Sequence, residues 1–133
     1  MKRTLKIPSK IDRLNIVDKI IEEINRKVKL SEEIYGNVLL SLSEATLNAI
    51  VHGNKFNSKK KVTINYEIKN DYLTIVVADE GEGFDPDSLP DPTSPENIEK
   101  LHSRGVYIIK HLCDEIAFDY DKGQKVIMKF KLK

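Results

Sequence analysis

Hydrophobic side chains recur along the first part of the chain with the period of a helix. From Ile11 to Val28 they return every three or four residues, with charged residues between them. This pattern predicts an amphipathic helix with Ser9 as its cap. A second helix is predicted from Glu32 to His52, with Ser31 as its cap. Gly53-Asn54 would end this helix, because both residues tolerate left-handed backbone.

Farther along, the period changes to two, which is typical of strands with one buried face. Short strands are predicted over residues 3–7, 62–68, 73–77, 116–120 and 126–132. Turn residues at 70–71 and 121–123 join the last four strands into two hairpins. Between the hairpins, four of the five prolines fall within residues 86–95, which excludes regular helix and central strand. A short helix from Gly105 to Cys113 follows.

These elements predict one α+β domain covering residues 1–133, a two-layer sandwich with helices on one face of a mostly antiparallel sheet. The other face of the sheet should be partly wet. A length of 133 residues with 40% hydrophobic and 32% charged residues suits a single core.

Overall charge and composition narrow the choice of partners and location. The net charge of +1 excludes binding to nucleic acid or an anionic membrane through overall charge. No uninterrupted apolar run approaches the roughly 18 residues of a membrane span, and the basic start does not lead into a secretory signal. With a single cysteine, a reducing, cytoplasmic location is expected.

Charged residues are almost absent from the second helix. Its only formal charge between Ile34 and Asn54 is Glu44, where about seven charges would be expected from the overall composition. Such a helix is buried on most sides. Ser41, Asn48 and His52 lie at helical spacing from Glu44 and would share one polar stripe with it. The stripe either hydrogen-bonds internally or presents a functional carboxylate beside an amide.

A glycine-containing acidic segment, Asp79-Glu80-Gly81-Glu82-Gly83-Phe84-Asp85, follows a predicted strand directly. Two glycines at alternate positions allow the backbone to approach a flat ligand where a side chain would clash. The pattern is neither the dinucleotide fingerprint nor a P-loop, and it lacks the spacing of an EF-hand. It is either a ligand-binding loop or an acidic turn without a ligand.

A third segment, Ser103-Arg104-Gly105, stands at the predicted start of the short helix. A helix start presents free N–H groups and a positive dipole end that attract phosphate, and Arg104 can add a charged contact. The proline-rich residues before it are predicted to form a mobile lid, about residues 86–103, or to be disordered.

The order and spacing of the three segments resemble the N, G1 and G2 boxes of the GHKL ATPase superfamily. These boxes are Glu44-x-x-x-Asn48-x-x-x-His52-Gly53, then Asp79-x-Gly81-x-Gly83-Phe84-Asp85, then a lid closing at Arg104-Gly105. The run Arg104-Gly105-Val106-Tyr107-Ile108-Ile109, followed by Asp114-Glu115-Ile116, is similar to the anti-sigma-factor serine kinases of the RsbW type. The resemblance implies a Bergerat-type ATP-binding fold over almost the whole chain.

The resemblance also implies a role for each box, with ATP and Mg²⁺ as the cofactors. Asn48 would ligate Mg²⁺, and Glu44 would be the catalytic residue that orients or deprotonates the attacking hydroxyl. Asp79 would accept a hydrogen bond from the adenine amino group, the contact that selects adenine.

The remaining implied contacts are to the base and the phosphates. Gly81 and Gly83 would let the loop lie against the base, and Gly105 would bring the helix start to the phosphates. Further nucleotide contacts are expected from His52, Phe84, Arg104 and Val106. The sequence departs from the family pattern at Ser103, where the G2 box usually carries glycine, and this substitution restricts the backbone that lid closure uses.

The function implied by the resemblance is an ATP-dependent protein serine/threonine kinase that acts as an anti-sigma factor in a partner-switching system. Its partners would be a sigma factor and a small antagonist protein that it phosphorylates, and the family also suggests a homodimer. The alternatives are a non-catalytic, partner-sequestering module that binds ATP, and an ATPase domain related to histidine kinases. The basic cluster Lys59-Lys60-Lys61 is interpreted either as a contact for an acidic partner or as protection of an edge strand.

Overall fold

The computed structural model describes residues 1–82 and 101–132 of the chain. Within these residues, five strands form one sheet in the order β1-β2-β3-β5-β4, and every neighbouring pair is antiparallel. The strands are β1 (Lys2–Pro8), β2 (Lys61–Lys69), β3 (Tyr72–Ala78), β4 (Glu115–Tyr120) and β5 (Gln124–Lys131). Three α-helices accompany them: α1 (Ile16–Lys27), α2 (Glu32–Asn48) and α3 (Leu101–Leu112). The predicted α+β fold is confirmed.

The core lies between the helices and one face of the sheet. Ile64, Val77 and Val126 stand opposite one another on three neighbouring strands, and all three are buried. Residues that alternate with them, such as Asn65 and Val76, are only partly buried. This alternation fixes the register, because a slip of one residue would turn the apolar set toward solvent.

Helix α2 is the central helix of the structure. It contacts α1, α3, β3 and β5, and Val38 and Leu42 on it are fully buried. Ser31 caps it as predicted, since its Oγ accepts the N–H of Ile34 at 3.2 Å. Among the described residues, the segment Glu32–Gly53 is also the one that is long and apolar enough, by length and composition alone, to cross a membrane. In the structure this segment is 39% buried, through its contacts with the sheet and the other helices.

The start of the first helix differs from the prediction. Residues Ile11–Arg13 form a single 3₁₀ turn, and α1 begins only at Ile16. Ser9 is not a helix cap: its buried hydroxyl donates to the carbonyl of Lys60 at 2.7 Å and accepts from Asn54 Nδ2 at 2.8 Å. Ser9 therefore joins the end of β1 to the segment before β2.

The end of the second helix also differs from the prediction. Helix α2 ends at Asn48 and continues as a π-helical turn, Ala49–Gly53. The left-handed residues that follow are Lys55 (φ 51°) and Phe56 (φ 58°), not Gly53-Asn54. A π turn widens the helix by one residue, and here it directs Gly53 toward the end of β3.

The described part of α3 extends from Leu101, so this helix already includes the four residues before its predicted start at Gly105. Residues 101–103 of the predicted lid are therefore helical, and the rest of that segment, residues 86–100, lies outside the described residues. Gly105 stands inside the helix because α3 packs on α2 there, as described below. The edge-strand interpretation of Lys59-Lys60-Lys61 is wrong, since β2 lies between β1 and β3.

Candidate nucleotide site

Asp79 is the first residue after β3, and its carboxylate is fixed by the backbone around it. Asp79 Oδ1 accepts the N–H of Gly81 at 2.8 Å and the N–H of Gln124 at 3.0 Å. The N–H of Asp79 donates to the carbonyl of Gln124 at 3.0 Å. Burial raises the pKa of Asp79, and the two N–H bonds and the charge of Lys60 offset part of that rise. The carboxylate is therefore half-buried and oriented before any ligand arrives.

Three glycines leave no room for side chains around Asp79. A Cβ on Gly53 would fall 2.1 Å from Asp79 Oδ2, and a Cβ on Gly81 would fall 2.1 Å from the carbonyl oxygen of Gly53. Gly123 has φ +154°, and a Cβ there would fall 1.8 Å from the carbonyl oxygen of Asp79. Gly53 thus lies against the carboxylate itself, and Gly81 and Gly123 let the backbone pack closely around Asp79.

A cavity of about 230 Å³ opens beside Asp79. Its polar lining includes Asn48, His52, Asp79 and Gln124, and its apolar walls include Val77, Val106, Ile109 and Val126. Apolar walls with a few fixed polar groups are the usual composition of a small-molecule site. A flat heterocycle with an amino group fits it, because the walls can cover the ring while Asp79 accepts from the amine.

A second cavity, of about 190 Å³, lies farther along α2 and shares Asn48 and His52 with the first. Glu44 and Arg104 line it from α2 and α3. Burial raises the pKa of Glu44, and the positive charge of Arg104 lowers it in part. Partial burial lowers the pKa of His52, which favours its neutral ring.

Helices α2 and α3 approach closely at Gly105. A Cβ built on this residue would fall 2.9 Å from Glu44 Oε2, 3.0 Å from Asn48 Nδ2 and 3.3 Å from Asn48 Oδ1. The carboxylate of Glu44 and the amide of Asn48 therefore meet at one place on the wall of the second cavity.

A divalent cation fits the amide oxygen of Asn48 beside this carboxylate. Carboxylate and amide oxygens are hard ligands, and Mg²⁺ commonly takes one or two protein oxygens and completes its shell with water and phosphate. Within residues 1–82 and 101–132, no group of three or more His, Cys, Asp and Glu side chains could hold a metal without a ligand. A cation at Asn48 would accordingly depend on the phosphates of a nucleotide for further ligands.

Residues 7–130 match the family described as the histidine kinase-like ATPase domain. The chain belongs to this family. The chain is also similar to proteins named serine-protein kinase RsbW. It is 26% identical to that of Oceanobacillus iheyensis over 93% of this chain and 82% of the relative. It is 29% identical to that of Bacillus licheniformis over 93% and 81%.

A solved structure shares the fold of this histidine kinase-like ATPase domain. The crystal structure of the RsbU and RsbW domains of a Mycobacterium tuberculosis protein superposes with a TM-score of 0.72 at 15% identity. The superposition covers 99% of this chain, which spans 32% of that longer chain.

The structure of this ATPase domain brings most of the predicted site residues together. Asn48, His52, Asp79 and Val106 line the first cavity, and Glu44 and Arg104 line the second. Gly81 and Gly105 supply the close backbone contacts described above. Gly83 and Phe84 lie outside the described residues.

Two expectations about the site are corrected. Ser41 does not belong to the polar stripe that was predicted. It is fully buried, and its Oγ lies 4.0 Å from Sγ of Cys113, the residue that follows α3. Burial raises the pKa of that thiol to about 11. Gly105 lies four residues inside the described part of α3, so its N–H is not one of the free groups of a helix start.

Sequence reasoning missed Gln124, Gly123 and Asn54. The sequence analysis placed Gly123 in a turn and Asn54 in a helix stop. Gln124, which is 4% exposed, lines the first cavity and holds Asp79 through its backbone. The start of β5 could have indicated Gln124. Because β5 pairs antiparallel with β3, its first residues lie beside the residue that follows β3.

Proposed function

We propose that this chain is an ATP-dependent protein serine/threonine kinase that acts as an anti-sigma factor and phosphorylates a small antagonist protein. The observation that carries the proposal is a pair of cavities that share Asn48 and His52, with Asp79 fixed in one and Glu44 and Arg104 lining the other. The relatives named serine-protein kinase support the reaction class.

Adenine would occupy the first cavity. Its amino group would donate to the carboxylate of Asp79, which the N–H groups of Gly81 and Gln124 hold in place. The apolar side chains of Val77 and Val106 would cover the ring. Guanine carries a carbonyl where adenine carries the amine, so it would leave this buried carboxylate without a donor.

The triphosphate would extend along α2 into the second cavity. Asn48 would ligate Mg²⁺, which neutralises phosphate charge when bound. Arg104 would add a charge-assisted contact to a phosphate oxygen. Because α3 crosses α2 at Gly105, these groups are already close together in the folded chain.

Phosphoryl transfer needs positioning and charge stabilisation more than covalent chemistry from the protein. The serine or threonine oxygen of the partner would bond to the γ-phosphorus as the bond to the β–γ bridging oxygen breaks, which releases ADP. Glu44 would orient the attacking hydroxyl or take its proton. Its raised pKa brings it nearer to the operating pH, where a general base works best.

The partners and the location of the reaction are part of the same proposal. A sigma factor would be sequestered, and the antagonist protein would be the phosphoryl acceptor. The kinase would act in the cytoplasm, as a homodimer in the manner of the family it resembles.

Incubation with Mg²⁺ and γ-labelled ATP tests the proposal, with candidate acceptors obtained by co-purification from the source organism. The wild-type chain should label an acceptor protein on serine or threonine. Glu44→Gln should bind Mg-ATP and lose transfer, whereas Asn48→Ala should lose Mg²⁺-dependent binding. Glu33→Gln, an exposed carboxylate in the first turn of the same helix, is the matched control.

Two results would contradict the proposal. Transfer by Glu44→Gln at the wild-type rate would remove Glu44 as the base. Saturable ATP binding by the wild-type chain, without a phosphoprotein from any co-purifying partner, would favour a non-catalytic binding module.

A further inference from the structure

The side chain of Asn54 is 1% exposed and uses its donors and its acceptor in hydrogen bonds. Its Oδ1 accepts the N–H of Glu80 at 2.7 Å. Its Nδ2 donates to Ser9 Oγ at 2.8 Å and to the carbonyl of Lys61 at 3.0 Å. These partners fix the orientation of the amide, because a flip would place its oxygen against the carbonyl of Lys61.

Asn54 and the glycine before it contact the same loop. The α-carbon of Gly53 lies against the carboxylate of Asp79, and Asn54 Oδ1 holds the next N–H along the chain, that of Glu80. The π-helical turn makes this possible, since the N–H of Asn54 bonds to the carbonyl of Ala49 at 2.8 Å. Asn54 itself is not among the residues that line the two cavities.

We propose that Asn54 is a positioning residue for base recognition: it fixes the backbone of Asp79–Gly81 and thereby the direction of the Asp79 carboxylate. This inference rests on the proposed function, in which that carboxylate selects adenine. The peptide that joins Asp79 to Glu80 carries the N–H that Asn54 holds, so losing this bond removes one of the constraints on the main chain next to the recognition group. A displacement of about 1 Å at such a group can cost about a hundredfold.

Ser9 provides a matched control inside the same network. Its hydroxyl bonds to Asn54 Nδ2 and to the carbonyl of Lys60, but its bonds do not reach the Asp79–Gly81 loop. A purely structural role for Asn54 predicts that Asn54→Ala and Ser9→Ala both lower the thermal midpoint and leave base selectivity alone. A positioning role predicts that only Asn54→Ala changes selectivity.

The experiment measures affinities for ATP and GTP by calorimetry, together with thermal midpoints, for wild type, Asn54→Ala, Asn54→Asp and Ser9→Ala. Asn54→Ala should reduce the ATP-to-GTP affinity ratio about tenfold or more, mostly through ATP. Ser9→Ala should keep the wild-type ratio with a lower midpoint. Asn54→Asp retains an acceptor for the Glu80 N–H but has no donor for the carbonyl of Lys61. It should therefore keep most of the ATP-to-GTP affinity ratio and lose stability.

Hydrogen exchange of the Glu80 amide gives a second readout that needs no nucleotide. Exchange should accelerate in Asn54→Ala and stay near the wild-type rate in Ser9→Ala. An unchanged ratio in Asn54→Ala, or an equal loss in Ser9→Ala, would overturn the inference. If Asn54→Ala does not fold, a reduced ATP-to-GTP affinity ratio in Asn54→Asp would overturn the inference instead. A wild-type chain that does not prefer ATP would count against the proposed function, whatever the variants show.

Discussion

The carboxylate of Asp79 lies directly against the α-carbon of Gly53. A Cβ on Gly53 would fall 2.1 Å from Oδ2, 2.4 Å from Cγ and 2.9 Å from Cβ of Asp79. Rotating the carboxylate would not relieve all three contacts, so any side chain at position 53 must displace Asp79 itself. The turn that follows α2 and the residue that follows β3 are thus in direct contact at Asp79.

Replacing Gly53 by alanine should remove nucleotide binding, with a loss of about a hundredfold or more in ATP affinity because the recognition group is displaced. Gly36→Ala is the control on the same helix. Gly36 is exposed with nothing within 4 Å of a built Cβ, and alanine there should stabilise the fold by roughly 0.5–1 kcal/mol. For each variant, isothermal calorimetry measures the ATP affinity and thermal melts measure the stability. Full ATP affinity in Gly53→Ala would mean that Asp79 does not contact the base.

Asp79→Asn should weaken nucleotide binding without unfolding the protein. The asparagine Oδ1 can still accept from the N–H groups of Gly81 and Gln124, but an amide in place of Oδ2 cannot accept from an adenine amine. Loss of a hydrogen bond to a charged group costs about 1.5–3 kcal/mol, so ATP should bind roughly ten- to a hundredfold more weakly. The folded state should remain intact by circular dichroism.

The difference in stability between the wild-type chain and Asp79→Asn should depend on pH in one direction. Because burial raises the pKa of Asp79 above its unfolded value, the folded wild-type chain binds this proton more tightly than the unfolded chain. Wild-type stability relative to Asp79→Asn should therefore fall as pH rises from the unfolded pKa through the folded pKa, and then level off. Urea unfolding of both proteins at several pH values measures this. A wild-type stability that falls relative to Asp79→Asn toward acid pH would contradict the assigned direction.

The rate of phosphoryl transfer should rise with pH through the raised pKa of Glu44, because the base must be ionised. Arg104→Gln removes the positive charge that lowers this pKa, so the acid limb of the profile should move to higher pH. Arg104→Lys keeps the charge and should leave the limb close to its wild-type position. Single-turnover rates across the acidic to neutral range distinguish these outcomes, independently of any overall loss of rate.

Gly105→Ala should perturb the site more than the fold. Alanine favours α3 by about 1 kcal/mol through helix propensity, but its Cβ would lie 2.9 Å from Glu44 Oε2 and 3.0 Å from Asn48 Nδ2. Glu44 can move because its carboxylate ends a flexible side chain. We expect a folded protein with reduced transfer and weaker Mg²⁺ dependence. Wild-type kinetics in Gly105→Ala would show that these two side chains need not meet at α3.

Local patterns predicted the elements and the part of the site that one helix carries. Glu44, Asn48 and His52 were found because helical spacing places them on one side of α2, where charge is otherwise absent. The hairpins were found because alternation and turn residues are short-range signals. Asn70 (φ 52°) and Asp71 (φ 64°) form the left-handed turn that their sequence predicts.

The remaining features depend on contacts between distant parts of the chain. Ser9 is a residue type that often caps helices, but its hydrogen bonds with Lys60 and Asn54 determine its role instead. Gly105 was interpreted as the start of a helix, whereas it permits two helices to approach. Gln124 holds Asp79 from 45 residues away through the pairing of β3 with β5, and no local pattern marks such a contact.

The enclosure of Asp79 by Gly53, Gly81 and Gly123 links ligand supply to the lifetime of the protein. These glycines come from segments that meet only in the folded chain, so an unfolded molecule offers no binding site. A ligand at a hundred times its dissociation constant would add about 2.7 kcal/mol to the free energy of unfolding. Chains without bound nucleotide would therefore unfold more often, so removing the nucleotide would shorten the lifetime of the folded state.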